Sequence, residues 1–469
     1  MLAQIIKNAF WLTIGEITGR ALRITLIVYA ARVLGTAEWG IASYTVSWAV
    51  LFTIATDIGL GAVLTRHLIH EPAHSNRYLR AACAIKCSLL IVSGIIMVLI
   101  LPKIGMMPLS PLLITLLFGL VFFDTLRLIP SAVNKARETM HHETVIAIIT
   151  QSAILAIGVS MLSILPSAEG LILAYVMGSA IGTIYAVFTV KKYIPQLFTP
   201  FPLRLARELI RDALPIAAIG LLGSIMLNTD IIMIGWFKGA ADVGLYSAAQ
   251  KIIFTLYVIP TLIASATFPA LARLTDQNRA FTGMFEKTLT SIFMLAAPLT
   301  VGGIIIAPEI INLVYGAVYI PATASFIILL LTIPLVYATT LIVNALLAHN
   351  AQKKCITYAV IGACGNTLGN SILIPLWGIE GAALATVITQ AISTIFIWRA
   401  LQKIHSFTIG KKLIKTTAAA AGMGIIAYGA HLLRTPVLAL IPLAGISYGT
   451  LLYILKEPLL AALLYRKNI

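Results

Sequence analysis

Apolar residues come in long runs along this chain, and polar residues are confined to short intervals between them. One helical crossing of a bilayer needs about 20 mostly apolar residues. Runs of that kind lie near 8–33, 41–64, 79–101, 111–133, 144–165 and 168–190. A polar, basic stretch covers 191–211. Further runs follow near 212–236, 245–274, 287–308, 322–348, 355–376, 381–401, 413–433 and 437–455. The pattern predicts an all-α integral membrane protein with about 14 transmembrane helices.

Composition sharpens this reading. Hydrophobic residues make up 59% of the 469, charged residues 11%, and the mean hydropathy is +0.98. A soluble domain carries about a quarter charged residues, so polar side chains are too few here to cover a water-facing surface. A formal net charge of +16 would suit nucleic acid. The cations, however, are scattered through short loops with no basic domain, as the positive-inside rule distributes them, and no nucleic-acid partner is expected. Assigning alternate loops to alternate sides puts 24 Lys and Arg residues, including those at the termini, on one side. The other side holds three, Lys103, Lys238 and Arg434. Both termini are therefore expected in the cytoplasm, with an even number of spans in the cytoplasmic (cell inner) membrane. The first run is interrupted by Glu16, Arg20 and Arg23 and lacks a small-residue cleavage site, so it reads as a span rather than a signal peptide. Cys83, Cys87, Cys355 and Cys364 show no metal-ligand spacing and read as packing residues.

The chain also repeats itself. Gly35-Thr-Ala-Glu38-Trp-Gly40 follows span 1, and Gly239-Ala-Ala-Asp242-Val-Gly244 follows span 7; both read G-x-A-acid-x-G. Glu169–Ile184 in span 6 and Glu380–Ile395 in span 12 form a longer match. The expected organisation is an N-terminal six-helix lobe over 1–190, a cytoplasmic linker over 191–211, a second six-helix lobe over 212–403, and two additional helices over 404–469. An even repeat keeps its orientation, so the lobes should be related by an axis along the membrane normal, a transporter design. No G-x-x-x-x-G-K-[ST] nucleotide loop occurs, which leaves an ion gradient or the substrate gradient to drive movement. No nucleophile–base motif appears either, so a transporter is expected and not an enzyme.

Five segments resemble a known family. They are Val33-Leu-Gly-Thr-Ala-Glu-Trp-Gly40, Asp57-Ile-Gly-Leu-Gly61, Asp230-Ile-Ile-Met-Ile-Gly235, Val243-Gly-Leu-Tyr-Ser-Ala-Ala249 with Lys251, and Trp377-Gly-Ile-Glu-Gly-Ala-Ala-Leu-Ala385. In this order they resemble the polysaccharide-repeat flippases of the multidrug/oligosaccharidyl-lipid/polysaccharide exporter superfamily. The resemblance runs from about residue 5 to about residue 400. It implies movement of polyprenyl-diphosphate-linked oligosaccharide from the cytoplasmic to the outer leaflet, for O-antigen, capsule or exopolysaccharide assembly. The expected partners are that glycan lipid, membrane lipid and polysaccharide polymerase machinery.

An ionisable group at mid-bilayer costs at least about 2.5–3.5 kcal/mol on insertion scales, so it faces a partner or a cavity. Glu16, Arg20 and Arg23 are spaced i, i+4, i+7 and share one face of span 1. Glu16 neutralises Arg20 and leaves Arg23 in surplus. Guanidinium binds phosphate oxygens in a bidentate fork, which makes this stripe a candidate diphosphate site. Asp124 and Arg127 in span 4 repeat the idea, and Lys251 in span 8 offers a further cation. The alternative is that both acid–base pairs fix helix packing, that Arg23 and Arg32 lie shallow enough to snorkel, and that Arg32 is an interface anchor. A second constellation combines Asp230, Asn366, Asn370 and Thr386, oxygen donors suited to a coupling cation, Na+ or H+. It resembles the sodium site of lipid II flippases, which carry a second acid where this chain has Asn370. The alternative there is hydrogen bonding between helices. Asp57, before Gly59 and Gly61, reads as a packing or hinge residue. Pro215, Pro260, Pro269, Pro298 and Pro334 are expected to kink spans of the second half. Two rival functions stay open within the superfamily, a cation-coupled multidrug exporter and a lipid II flippase. A membrane glycosyltransferase would need a long outer loop, and none is present.

Overall fold

Lipid offers no hydrogen bonds, so each apolar run must satisfy its own backbone, and it does so as a helix. The computed structural model describes residues 2–71, 75–104, 107–192, 203–433 and 435–458. Residues 193–202 of the expected linker, and the cations Arg434, Arg466 and Lys467, lie outside the described residues. The described residues form helices and turns without a strand.

Two compact units divide the chain, Met1–Gly244 and Leu245–Ile469. The first holds α1 (Leu2–Asp57), α2 (Leu60–His70), α3 (Ser75–Leu99), the short α4 (Leu101–Ile104), α5 (Pro111–Ala136), α6 (Met140–Ile164), α7 (Ala168–Thr189), α8 (Leu203–Phe237) and the start of α9 (Ala240–Leu256). Straight, the 56 residues of α1 would extend about 84 Å, nearly three times a bilayer core. Gly35 breaks it, at φ 70° and ψ −176°. A second break at Ile58 (φ 40°) and Gly59 (φ 73°) separates α1 from α2. Small residues let the helices approach. A Cβ on Gly178 of α7 would overlap the Ile154 side chain of α6, and one on Gly182 would overlap Thr150 Oγ1. This small-residue spacing is a membrane helix-packing device.

The second unit holds the rest of α9, then α10 (Val258–Arg273), α11 (Asn278–Ile305), α12 (Ala307–Tyr315), a 3-10 turn over Ala317–Ala322, α13 (Thr323–Leu330), α14 (Thr332–Ala348), α15 (Gln352–Gln402), α16 (Gly410–Leu432) and α17 (Val437–Ile454). A proline leaves the carbonyl four residues earlier without its helical donor. Three of the expected kinks show what replaces that donor. Tyr337 donates its hydroxyl to Leu256 O, 2.8 Å, below Pro260. Tyr448 donates to Met294 O, 2.9 Å, below Pro298. Thr300 reaches Leu330 O at 3.5 Å, below Pro334.

Eleven helices are long and apolar enough to cross a membrane, or twelve when the pair bent by 41° over 317–348 is taken as one span. Two of these, Phe10–His70 and Gln352–Gln402, are 61 and 51 residues long. Each is broken at a left-handed glycine, Gly35 or Gly378 (φ 62°). Counting each as two crossings gives the fourteen expected from the apolar runs.

Candidate functional site

The stripe on α1 has the expected geometry. Arg20 Nε lies 2.6 Å from Glu16 Oε1, with side chains 43% and 57% exposed. Arg23, one turn further, is exposed and makes no ion pair among the described residues. Exposed charges on a membrane helix face acyl chains only at the costs given above.

Arg127 is held differently. Its Nη2 donates to Asp124 Oδ1 at 2.8 Å and its Nη1 to Thr150 Oγ1 at 3.2 Å. Ser179 of α7 donates to the same Asp124 oxygen at 2.9 Å. Thr150 is available to Arg127 because Gly182 leaves room for it. Three helices therefore fix this guanidinium, whereas among the described residues no carboxylate engages the hydrogen-bonding fork of Arg23.

Lys251 lies half-buried on α9 in the second unit, apart in sequence from this cluster. The residues proposed for a cation divide between the units. Asp230 is buried in α8 of the first unit. In the second, Asn370 Nδ2 donates to Asn366 Oδ1 at 3.1 Å, Asn366 Nδ2 to Thr386 Oγ1 at 3.2 Å, and Thr386 Oγ1 to Ala382 O at 3.1 Å. Asn366 and Asn370 are buried, and this relay ties the two halves of α15 together.

Two groups escaped the sequence reading. Lys86 in α3 is fully buried, and its Nζ lies 2.5 Å from Asp57 Oδ1, one residue before the break at Ile58 and Gly59. Its only signal was a single lysine inside an apolar run. The other group is aromatic. Trp236 of α8 donates to Tyr44 Oη at 3.2 Å, and Trp48 contacts Tyr44, Phe52 and Trp236 with ring centroids 5.8–6.4 Å apart. Tyr44, Trp48 and Phe52 recur at i, i+4, i+8 on α1, but Trp236 comes from a separate apolar run, so local spacing announces only the α1 part of the cluster.

The repeated motifs prove to be structural ties. A Cβ on Gly40 would overlap Ala240 O, and one on Gly244 would overlap Thr36 O, so each copy of G-x-A-acid-x-G seats its last glycine on the other's backbone. Glu38 accepts the backbone N–H of Ala168 at 2.7 Å and so caps α7. In the longer repeat, a Cβ on Gly170 would press on Leu165 O and one on Gly381 on Leu373 O.

Comparison with known proteins agrees with this architecture. The family described as "Polysaccharide biosynthesis protein" matches residues 5–275, and that described as "Lipid II flippase MurJ" matches 146–441. The "Probable flippase AglR" of Haloferax volcanii is 30% identical over 178 residues, 37% of each chain. The "Probable low-salt glycan biosynthesis flippase Agl15" of the same organism is 25% identical over 395 residues, 83% of this chain and 82% of its own. In fold, the chain is similar to a solved lipid II flippase MurJ in an inward closed conformation, with TM-score 0.79, 16% identity, and 98% and 99% of the two chains covered.

Proposed function

Because the chain belongs to the polysaccharide biosynthesis protein family, among the polysaccharide-repeat flippases of the multidrug/oligosaccharidyl-lipid/polysaccharide exporter superfamily, we propose that it flips polyprenyl-diphosphate-linked oligosaccharide from the cytoplasmic to the outer leaflet. The product would serve surface polysaccharide assembly of the O-antigen, capsule or exopolysaccharide kind. The observation that carries this reading is Arg23, an exposed guanidinium on a membrane helix with no carboxylate partner among the described residues. Such a group suits a diphosphate bidentately. Arg20, balanced by Glu16, and Arg127, held by Asp124, border the same role, and Lys251 adds a cation from the second unit. The head group enters from the cytoplasm while the polyprenyl tail stays in lipid, and alternating access carries it outward. The proposed setting is the cytoplasmic membrane with both termini inside, next to polysaccharide polymerase machinery.

Reconstitution with a labelled polyprenyl-diphosphate oligosaccharide tests this. The native chain should transfer label between leaflets, and Arg23→Ala should slow transfer at least about tenfold, as expected for a charge-assisted bidentate contact. Unchanged transfer in the variant would remove the diphosphate role, and no transfer by the native chain would remove the function. A lipid II-type substrate is the second reading, favoured by the match over 146–441 and by the likeness in fold. Competition between the two lipids in the same vesicles separates them. A coupling cation, Na+ or H+, is proposed, with Asn366, Asn370 and Thr386 of the second unit and Asp230 of the first each a candidate oxygen donor. It predicts that transfer responds to an imposed sodium or proton gradient and that Asp230→Asn abolishes the response.

A further inference from the structure

Two open apolar grooves flank the C-terminal end of α15. One, of about 480 Å³, runs between the two halves of that helix, past Ile361, Ile392 and Phe396, and ends at Lys354, Ala400 and Lys403. The other, of about 370 Å³, is walled by Phe293 of α11, Pro334 and Leu335 of α14, and Trp398. Ile395 and Arg399 line both. Ile395 is 52% exposed, so the pair forms a ridge between the grooves, apolar below and cationic at its end. Arg399 makes no ion pair among the described residues, and no carboxylate lines either groove. Lys354 Nζ donates to Ala400 O at 3.2 Å, which holds its charge at the mouth of the larger groove.

Basic residues at the cytoplasmic ends of spans are ordinary anchors. Two apolar grooves meeting under one exposed arginine go beyond that pattern. The chemistry asked for is a phosphate joined to two hydrocarbon chains that part on either side of a ridge. Trp398 supplies the amphipathic ring common at headgroup depth. We propose that this face of the second unit binds one anionic glycerophospholipid of the cytoplasmic leaflet, its phosphate on Arg399, Lys403 and Lys354 and one acyl chain in each groove. The leaflet rests on the orientation given above; the site itself does not. A polyprenyl phosphate has a single chain and would leave one groove unfilled.

Native mass spectrometry of the detergent-purified full chain, titrated with dioleoyl phosphatidylglycerol or dioleoyl phosphatidylcholine, tests the site. One phosphatidylglycerol should be retained in preference to phosphatidylcholine. A basic residue beside an anionic headgroup is worth roughly fivefold in affinity, so Arg399→Gln with Lys403→Gln should weaken that one lipid by about 30-fold. Lys353→Gln, an exposed neighbour outside the grooves, should not. Ile395→Trp, which crowds both grooves and keeps every charge, should also lower retention. The proposal is overturned if the native chain shows no preference, if the double variant keeps it, or if undecaprenyl phosphate displaces phosphatidylglycerol at equal concentration. Leaflet transfer of the glycan lipid is measured separately, so loss of one result does not entail loss of the other.

Discussion

At the scale of single residues, Lys86 and Asp57 set the clearest test. Lys86 is fully buried, and removing one partner of a buried ion pair leaves an uncompensated charge that costs about 3–5 kcal/mol. Asp57→Leu, which strands the buried Lys86 charge while Asp57 itself is 22% exposed, should therefore lower the thermal unfolding midpoint in detergent strongly. Lys86→Met with Asp57→Leu should recover most of the loss, since apolar replacement of a whole pair is often neutral. A double variant as unstable as the single one would show that the charges do more than balance each other. His405 gives a second test. Its Nε2 lies 2.6 Å from His349 Nε2, its ring stacks on Phe281, and its Nδ1 meets Asn278 Oδ1. His349 Nδ1 lies 2.9 Å from Ala345 O, a pure acceptor, so it is the protonated nitrogen of that ring. The facing Nε2 atoms can then share one proton and not two. Burial, and then the neighbouring His349, push His405 below its ordinary 6.5. A depressed histidine contributes stability that is present above its unfolded value and lost as pH falls through its folded one. The unfolding midpoint should fall as pH drops below 6.5, and less so in His405→Gln. An equal fall in the variant would place the sensitivity elsewhere.

Among elements, the breaks and kinks carry the fold, and each has a nameable repair. Tyr337 and Tyr448 take the carbonyls freed by Pro260 and Pro298. A hydrogen bond between membrane helices averages about 0.6 kcal/mol and reaches about 1.7, so Tyr337→Phe or Tyr448→Phe should cost that order in unfolding free energy. Replacing Pro260 by Ala in the Tyr337→Phe background should return part of it, because the freed carbonyl regains its helical donor. No recovery would mean that the tyrosine is held for packing alone. The glycine pair behaves differently, because Gly40 and Gly244 seat on one contact between the two motif copies. Neighbouring changes that disturb one contact are not additive. Gly40→Ala and Gly244→Ala should each destabilise, and together by less than their sum. Strict additivity in unfolding midpoints would show the two seats to be independent.

For the whole molecule, the span count, the repeat and the surplus arginine of α1 were legible because each is written locally: apolar length, a matched motif, a charge with no acid one turn away. Three features resisted reading because they depend on what lies across a helix interface. The Lys86–Asp57 pair joins α1 and α3, the aromatic cluster joins α1 and α8, and the proline repairs reach from 30 to 154 residues away. The acid of the first G-x-A-acid-x-G copy works at a distance too, since Glu38 caps the helix that starts at Ala168. Orientation is the remaining global property, and charge alone argues it. Moving the 24 cations of the basic loops across a bilayer is what the positive-inside rule forbids, and the rule acts through short loops such as these. With Cys83, Cys87, Cys355 and Cys364 replaced by Ala or Ser, single cysteines at Lys103 or Lys238 should react with a membrane-impermeant maleimide added to intact cells. Single cysteines at Arg137 or Lys353, equally exposed in the fold, should react only after the membrane is opened. The reverse pattern would turn the protein over and put Arg399 and its grooves in the outer leaflet. A mixed pattern would show that the alternation of loops fails, and with it the even count of spans.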